Sequence, residues 1–378
     1  MDQLAEKKRI FFPNLDGLRF LCFLSVFLFH SFHTESDTIK HSEIYIFIKE
    51  GLFGNGNLGV NFFFVLSGFL ITYLLIEEKN SNPNIDIKNF WIRRILRIWP
   101  LYFFCVFFGF IIFPVIKTYF GQIPNETADP LYYLTFTNNF DFIVKGPPDS
   151  SVLGVLWSIA IEEQFYLVWP LLLFIIRVKH YPKLFVAIIT GSLIFRAFYH
   201  DHMNYEHSTF SCIGDLTIGA IGAYLCRQEK FRTSIENLSR TSIIAIYCLF
   251  FVLFFFREEL LYSNYYIKIF ERSFIACVML LIILEQNFSK NSFYKMSNMK
   301  GISKLGVISY GLYCLHFIGI LITVTLSKKI HLNENIWGVL LIETSVALII
   351  TIIISRLSYR YFETPFLKIK ERFAYILK

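Results

Sequence analysis

The stretch Leu15-Asp16-Gly17-Leu18-Arg19-Phe20-Leu21-Cys22-Phe23-Leu24-Ser25-Val26-Phe27-Leu28-Phe29-His30-Ser31-Phe32 decides how the rest of the chain is read. It is apolar apart from a few positions, and two of those are Arg19 and His30, eleven residues apart. At 100° per residue that interval is three turns plus about 20°, so both side chains leave one face of a single helix. They are separated by about 16 Å along its axis. An arginine within a membrane-spanning helix costs roughly 2.5 to 3.5 kcal/mol at the centre, so such residues face a protein interior or a water-filled path.

The same apolar character recurs along all 378 residues, of which 55% are hydrophobic and 19% aromatic. The mean hydropathy is +0.51. Repeated apolar runs of bilayer length predict an all-α integral membrane protein. Ten spans are expected, near residues 15–33, 57–76, 98–116, 153–176, 184–199, 211–226, 242–256, 266–285, 304–326 and 336–362. The first lacks a small-residue cleavage site and is read as a retained helix, not a signal peptide.

The net charge of +7 is unevenly spread, and its distribution argues against nucleic-acid binding. One alternating set of connectors carries twenty-three Lys and Arg and the other seven. With ten spans, this imbalance predicts both termini on the cytoplasmic side of a cytoplasmic (inner) membrane. The seven cysteines show no CxxC spacing, so neither a disulfide framework nor a metal centre is expected. The chain is read as a single transmembrane domain over 1–378, with its core at about 11–366.

Three groups of residues stand out as candidates for chemistry. Arg94 and Arg97 share a helical face beside the third span, and a pair of guanidinium forks suits a polyphosphate as well as it suits a membrane-edge anchor. In the fourth span, Ser158 and Glu162 face the same way, while Glu163 is turned 100° from Glu162. A carboxylate in an apolar run either pairs with a cation or keeps its proton. Asp215 and Arg196 are expected to pair between the fifth and sixth spans. His316 lies mid-span, as a participant in chemistry or as a hydrogen-bonded core residue. His200, Asp201, His202, Glu206 and His207 crowd one short connector whose composition permits a metal, but a solvated loop is the expectation. Gly59 and Gly68 read as close helix contacts. Ser67 has no base near it in sequence and is not read as a nucleophile.

Several of these positions fall in motifs that arrive in a fixed order. They are Leu15-Asp16-Gly17-Leu18-Arg19-Phe20 with His30, Gly59-Val60-Asn61-Phe62-Phe63-Phe64-Val65-Leu66-Ser67-Gly68, Arg94-x-x-Arg97, and Trp157-Ser158-x-x-x-Glu162-Glu163-Gln164-Phe165-Tyr166. Two more follow, Ser309-Tyr310-Gly311-Leu312-Tyr313-Cys314-Leu315-His316 and Ser358-Tyr359-Arg360-Tyr361-Phe362-Glu363. Together they closely resemble the membrane acyltransferase-3 family over essentially the whole chain. One departure is Asn61, where members often carry Asp.

The resemblance implies an acyl-CoA-dependent O-acyltransferase of the cell envelope, with acetyl-CoA the expected donor. The implied acceptor is a hydroxyl of a cell-surface polysaccharide or lipid-linked sugar. It implies the stand-alone type, without an appended hydrolase-like domain, and no permanently bound cofactor. In this reading Arg19, Arg94 and Arg97 bind the donor, with Asp16 fixing Arg19. His30 takes a proton from the attacking hydroxyl or accepts the acyl group itself. Glu162 orients His30 or another catalytic group, in the manner of a third triad member. Ser158, Glu163, Asp215 and His316 are supporting candidates. The alternative is a transporter or flippase of a lipid-linked or polyanionic solute, because intramembrane Arg, His and Glu also line conduits.

Overall fold

The structure is a computed structural model that describes residues 12–82, 84–200, 202, 205–262 and 264–373. The described residues form helices and connectors, with no strand among them. The long helices are α1 (Pro13–Phe29), α2 (Leu58–Ser81), α3 (Ile87–Tyr119), α4 (Ser151–Ile175), α5 (Val178–Tyr199) and α6 (Thr209–Leu225). They continue as α7 (Glu229–Glu236), α8 (Arg240–Phe255), α9 (Tyr265–Phe288), α10 (Lys300–Val307), α11 (Ser309–Lys329) and α12 (Gly338–Glu371).

Local chemistry sets the helix starts. Pro13 opens α1, where its missing N–H costs nothing. Asp86 caps α3 by accepting from the Asn89 N–H at 3.0 Å. Ser208, Ser239 and Asn264 cap α6, α8 and α9 in the same way. The π-helical turns Phe108–Ile112 in α3, and Gly338–Glu343 and Ser358–Glu363 in α12, let these two helices run long while turning their faces.

Helix α2 is the centre of the bundle. It packs on α1, α6, α9 and α4, and 72% of its apolar window is buried against 22% for α5. Small residues make that possible. A side chain at Gly59 would collide with the Cys22 carbonyl of α1, and one at Gly68 with the Leu216 carbonyl of α6. Gly219 of α6 is held as closely to Val65. Both sequence-expected glycine contacts are therefore present, and they let backbones approach where lipid supplies no hydrophobic drive.

The expectation of about ten transmembrane helices does not hold. Among the described residues, six helices are long and apolar enough to cross a membrane, α2, α3, α4, α5, α11 and α12, or seven if one bent pair counts as a single span. Helix α1 has 17 residues, about 26 Å against a core of about 30 Å. Helix α6 also has 17 residues and meets α7 at a 100° bend. Helix α8 has 16. Helix α9 has 24, but Lys268, Glu271, Arg272 and Glu285 interrupt it. Apolar runs mark all ten segments, but α1, α6 and α9 bury much of theirs against protein, which does not require spanning length, and α8, with only Ile243 and Leu253 buried, falls short on length. The even count of ten spans therefore no longer carries the assignment of both termini to the cytoplasmic side.

The connectors nevertheless gather at two ends. At one, Asn14 bonds the Gln286 carbonyl at 2.8 Å, Arg227 bonds Asn80 at 2.9 Å, and Arg93 bonds the Phe373 carbonyl at 2.7 Å. This is the end where Lys and Arg concentrate. At the other, Asn333 bonds the His33 carbonyl at 2.7 Å, Lys328 pairs with Glu35, and Asn139 bonds the His207 carbonyl at 3.2 Å.

Candidate active site

Two adjoining cavities hold most of the candidate residues. The one nearer the basic end, of about 110 Å³, is lined by Arg19, Arg94 and Arg97 together with Ser67, Glu162 and Tyr166. Helix α1 supplies Arg19, whose guanidinium donates to Asp16 at 2.7 Å, three residues earlier on the same turn. Helix α3 supplies Arg94 and Arg97, one turn apart as their spacing requires. Arg94 lies over the rings of Phe90 and Tyr166, 5.4 Å from each centroid, and its buried Nε has no partner. Arg97 makes no hydrogen bond among the described residues. Lys370 of α12 is within electrostatic range of both.

The carboxylate of Glu162 accepts from Ser67 Oγ at 2.8 Å and from Tyr166 OH at 3.0 Å. The structure does not bring it to His30. The expected triad role of Glu162 is therefore corrected: its place is among the arginines. Ser67 donates to that carboxylate, so the fold brings it a base that its own stretch of sequence lacks. Glu163 points to α3, where Trp99 Nε1 donates to it at 2.8 Å, and its other oxygen is buried without a partner.

The second cavity, of about 340 Å³, contains His30. Its walls include Phe142, Pro147 and Pro148 of the long connector before α4, and Trp157, Glu206 and Arg272. The His207 ring packs on Phe142 and Trp157 at 4.4 and 4.5 Å between centroids. His30 caps α1 in helical conformation, so the one-face geometry with Arg19 extends to it. Its Nδ1 lies 3.0 Å from His316 Nε2, and His316 Nδ1 lies 2.6 Å from the Tyr313 carbonyl oxygen. Sequence reading named His316 only as a candidate. No local signal could join it to His30, 286 residues away.

Behind this cavity stands a buried ion network. Arg272 Nε donates to Asp215 at 2.7 Å, and Asn61 donates to the same carboxylate oxygen at 3.3 Å. Arg196 and Arg257 both pair with Glu271, at 3.3 and 2.6 Å. The expected Asp215–Arg196 pair is thus replaced by two separate partners from α9. Arg272 was missed, although an arginine inside an apolar run gives the signal that Arg19 gave. Its Nη2 is buried and unpaired. No group of three or more His, Cys, Asp or Glu among the described residues is placed to hold a metal. Asp201, part of the crowded connector, lies outside the described residues.

Val60 and Tyr313 line both cavities and form the wall between them. The Tyr313 hydroxyl is held 2.7 Å from Ser158 Oγ and donates to the Val155 carbonyl at 3.2 Å.

Comparison with known proteins agrees with this architecture. The chain is 28% identical to "Peptidoglycan O-acetyltransferase OatA" of Listeria monocytogenes, an alignment covering 97% of this chain and 58% of that protein. It is 26% identical to "Putative peptidoglycan O-acetyltransferase YrhL" of Bacillus subtilis, over 94% of this chain and 55% of that one. A "Putative O-acetyltransferase" of Staphylococcus aureus is 28% identical, over 96% and 58%. The chain spans a little over half the length of these curated relatives. No solved structure matches it. The long apolar helices and the bacterial relatives indicate a multipass protein of the cytoplasmic membrane. The acyltransferase-domain model of the acyltransferase-3 family matches residues 12–357, and the chain belongs to that family.

Proposed function

We propose that this protein transfers an acyl group, acetyl in the first instance, from acyl-CoA to a hydroxyl of a cell-envelope glycan or lipid-linked sugar. One observation carries the reading: a cation-lined cavity and a histidine-lined cavity meet at a single wall formed by Val60 and Tyr313. A nucleotide with phosphates at one end and a thioester at the other end of a thin arm fits such a pair. The names of the relatives, which specify O-acetylation of peptidoglycan, support the acceptor class.

Arg94 and Arg97 bind the donor phosphates, because planar guanidinium forks keep their charge when desolvated. Arg19, neutral in sum with Asp16, adds donors further along the arm. The arm passes between Val60 and Tyr313 and brings the thioester to His30. The His30 imidazole takes the proton of the acceptor hydroxyl as its oxygen attacks the thioester carbonyl. The C–S bond then breaks, and the departing thiolate takes that proton back from the imidazolium. The positive-inside rule puts the basic end in the cytoplasm. The donor therefore enters from inside, and the product forms on the far side.

Sealed inside-out vesicles test both chemistry and direction. Labelled acetyl-CoA added outside should give labelled glycan enclosed in the lumen. Product only on the donor's face overturns the through-membrane route. Absence of any CoA turnover or binding, together with movement of a lipid-linked solute, would make the protein a flippase.

A further inference from the structure

We propose that His316 is the positioning residue of His30, holding it in the Nδ1–H tautomer so that Nε2 is the base; the catalytic part of this inference rests on the transfer reading above. The argument starts from the Tyr313 carbonyl. A carbonyl oxygen only accepts, so His316 Nδ1, 2.6 Å away, carries the hydrogen. A neutral imidazole has one N–H, so His316 Nε2 presents a lone pair. His30 Nδ1, 3.0 Å from that lone pair, must be the donor. The hydrogen on His30 is thereby assigned, and its Nε2 is left as an acceptor. Nε2 has no hydrogen-bond partner among the described residues, and His30 lines the larger cavity.

Ring geometry supports a true in-line bond. The imidazoles are inclined by only 13°, with centroids 5.2 Å apart and nitrogens 3.0 Å apart. Those values describe two nearly coplanar rings meeting edge to edge. Face-to-face stacking would not put the nitrogens so much closer than the centroids. The hydrogen therefore lies along the lone pair of His316.

The surroundings explain why the partner is an imidazole and not a carboxylate. His316 is fully buried, with the rings of Phe23, Phe27 and Phe317 at 6.2, 6.5 and 4.6 Å. An ionised carboxylate in that setting carries a desolvation penalty before any substrate arrives. A neutral imidazole orients His30 without a resting charge. When His30 takes the hydroxyl proton, its Nδ1–H remains bonded to the His316 lone pair. The new positive charge is then shared along a chain that ends on the Tyr313 carbonyl dipole. Tyr313 also forms the wall between the cavities with its side chain, so one residue anchors the relay and bounds the donor path.

The experiment uses the full chain in proteoliposomes, with ¹⁵N-labelled histidine and a His30→Gln variant to assign the His30 signals. Wild-type protein should show a protonated Nδ1 and a bare Nε2 at His30. His316→Leu should lose that preference and lower kcat by about 100-fold or more, with KM for acetyl-CoA changed by less than about 2-fold. His316→Gln offers a side-chain carbonyl to the same N–H and should recover at least about tenfold of that loss. Retained CoA binding shows that the variants are folded. A wild-type His30 protonated on Nε2, or near-normal kcat in His316→Leu, overturns the proposal. The tautomer is measured on wild-type protein and needs no folded variant. A wrong tautomer in an active enzyme sinks this inference alone, whereas a correct tautomer without acyl transfer sinks the functional reading.

Discussion

The two cavities share a wall but differ in charge. On the basic side, Asp16 neutralises Arg19, and Glu162 is the one carboxylate lining a space that Arg94 and Arg97 also line. On the other side, three arginines (Arg196, Arg257 and Arg272) stand against three carboxylates (Asp215, Glu206 and Glu271). A balanced set locks helices together and leaves the space beside it without net charge, whereas an unbalanced set is a standing demand for an anion. On the proposed reading, the difference teaches how one bundle would handle two unlike substrates. The donor would be held by the charge it brings with it. The acceptor would meet aromatic faces and polar groups, with His207 and Glu206 lining the same space as His30.

This contrast is most severely tested at His30. Replacing it with Ala should lower acyl transfer by about 10³-fold or more, within the range for loss of a general base, while CoA binding persists. Steady-state transfer and CoA binding measured on the same preparation check this. Transfer near the wild-type rate would mean that the larger cavity is not the reaction chamber. The shared wall comes next. Val60→Trp fills the passage and should reduce transfer by about 10²-fold with the phosphate site intact, since misplaced reacting atoms cost rate more than affinity. If CoA affinity falls in step with transfer, the wall belongs to the phosphate site and the two cavities are one. Arg97→Ala should weaken CoA binding by about tenfold, the value of a lost charged hydrogen bond, and Lys should restore only part of it. Unchanged affinity on direct titration would reduce Arg97 to a topological anchor.

How much of this is legible from the chain depends on the range of each interaction. Arg19 and His30 share one helix, so their common face follows from 3.6 residues per turn, and α1 keeps it. Arg94 and Arg97 follow for the same reason. Apolar runs identify the long helices of the bundle but not the short α7, and they cannot tell a helix that crosses lipid from one surrounded by protein. That is why α1, α6 and α9 read as spans, whereas α8, with only Ile243 and Leu253 buried, reads as one because its apolar run is nearly of spanning length. Contacts between helices carry no local signature. Asp215 chose Arg272 over Arg196, Glu162 chose Ser67 and Tyr166 over His30, and His316 met His30 from the far end of the chain. Tyr166 is one turn along α4 from Glu162, but every other partner lies on another helix, and helix packing, fixed by glycines such as Gly59 and Gly68, decides which faces meet.

The smallest expected effect makes the finest distinction between the cavities. Glu162 was read from sequence as a group that orients His30, and in that role its amide variant would cost about 10⁴-fold, as loss of a triad carboxylate does. Its observed place predicts something different. The carboxylate takes hydrogen bonds from Ser67 and Tyr166 and, when ionised, adds negative charge to the cavity that is proposed to receive the donor phosphates. Glu162→Gln keeps one carbonyl acceptor for those hydroxyls, offers its NH₂ to the other hydroxyl's oxygen, and removes the charge. Donor phosphates then meet two guanidiniums with less opposition. CoA affinity should stay level or rise a few-fold, and kcat should change by less than about tenfold, since one charge at surface-like dielectric is worth about a kcal/mol or two. Titration of CoA binding beside single-turnover transfer separates the two effects. A collapse of transfer with unchanged CoA affinity would return Glu162 to the chemistry at His30, and the division of labour between the cavities would have to be redrawn.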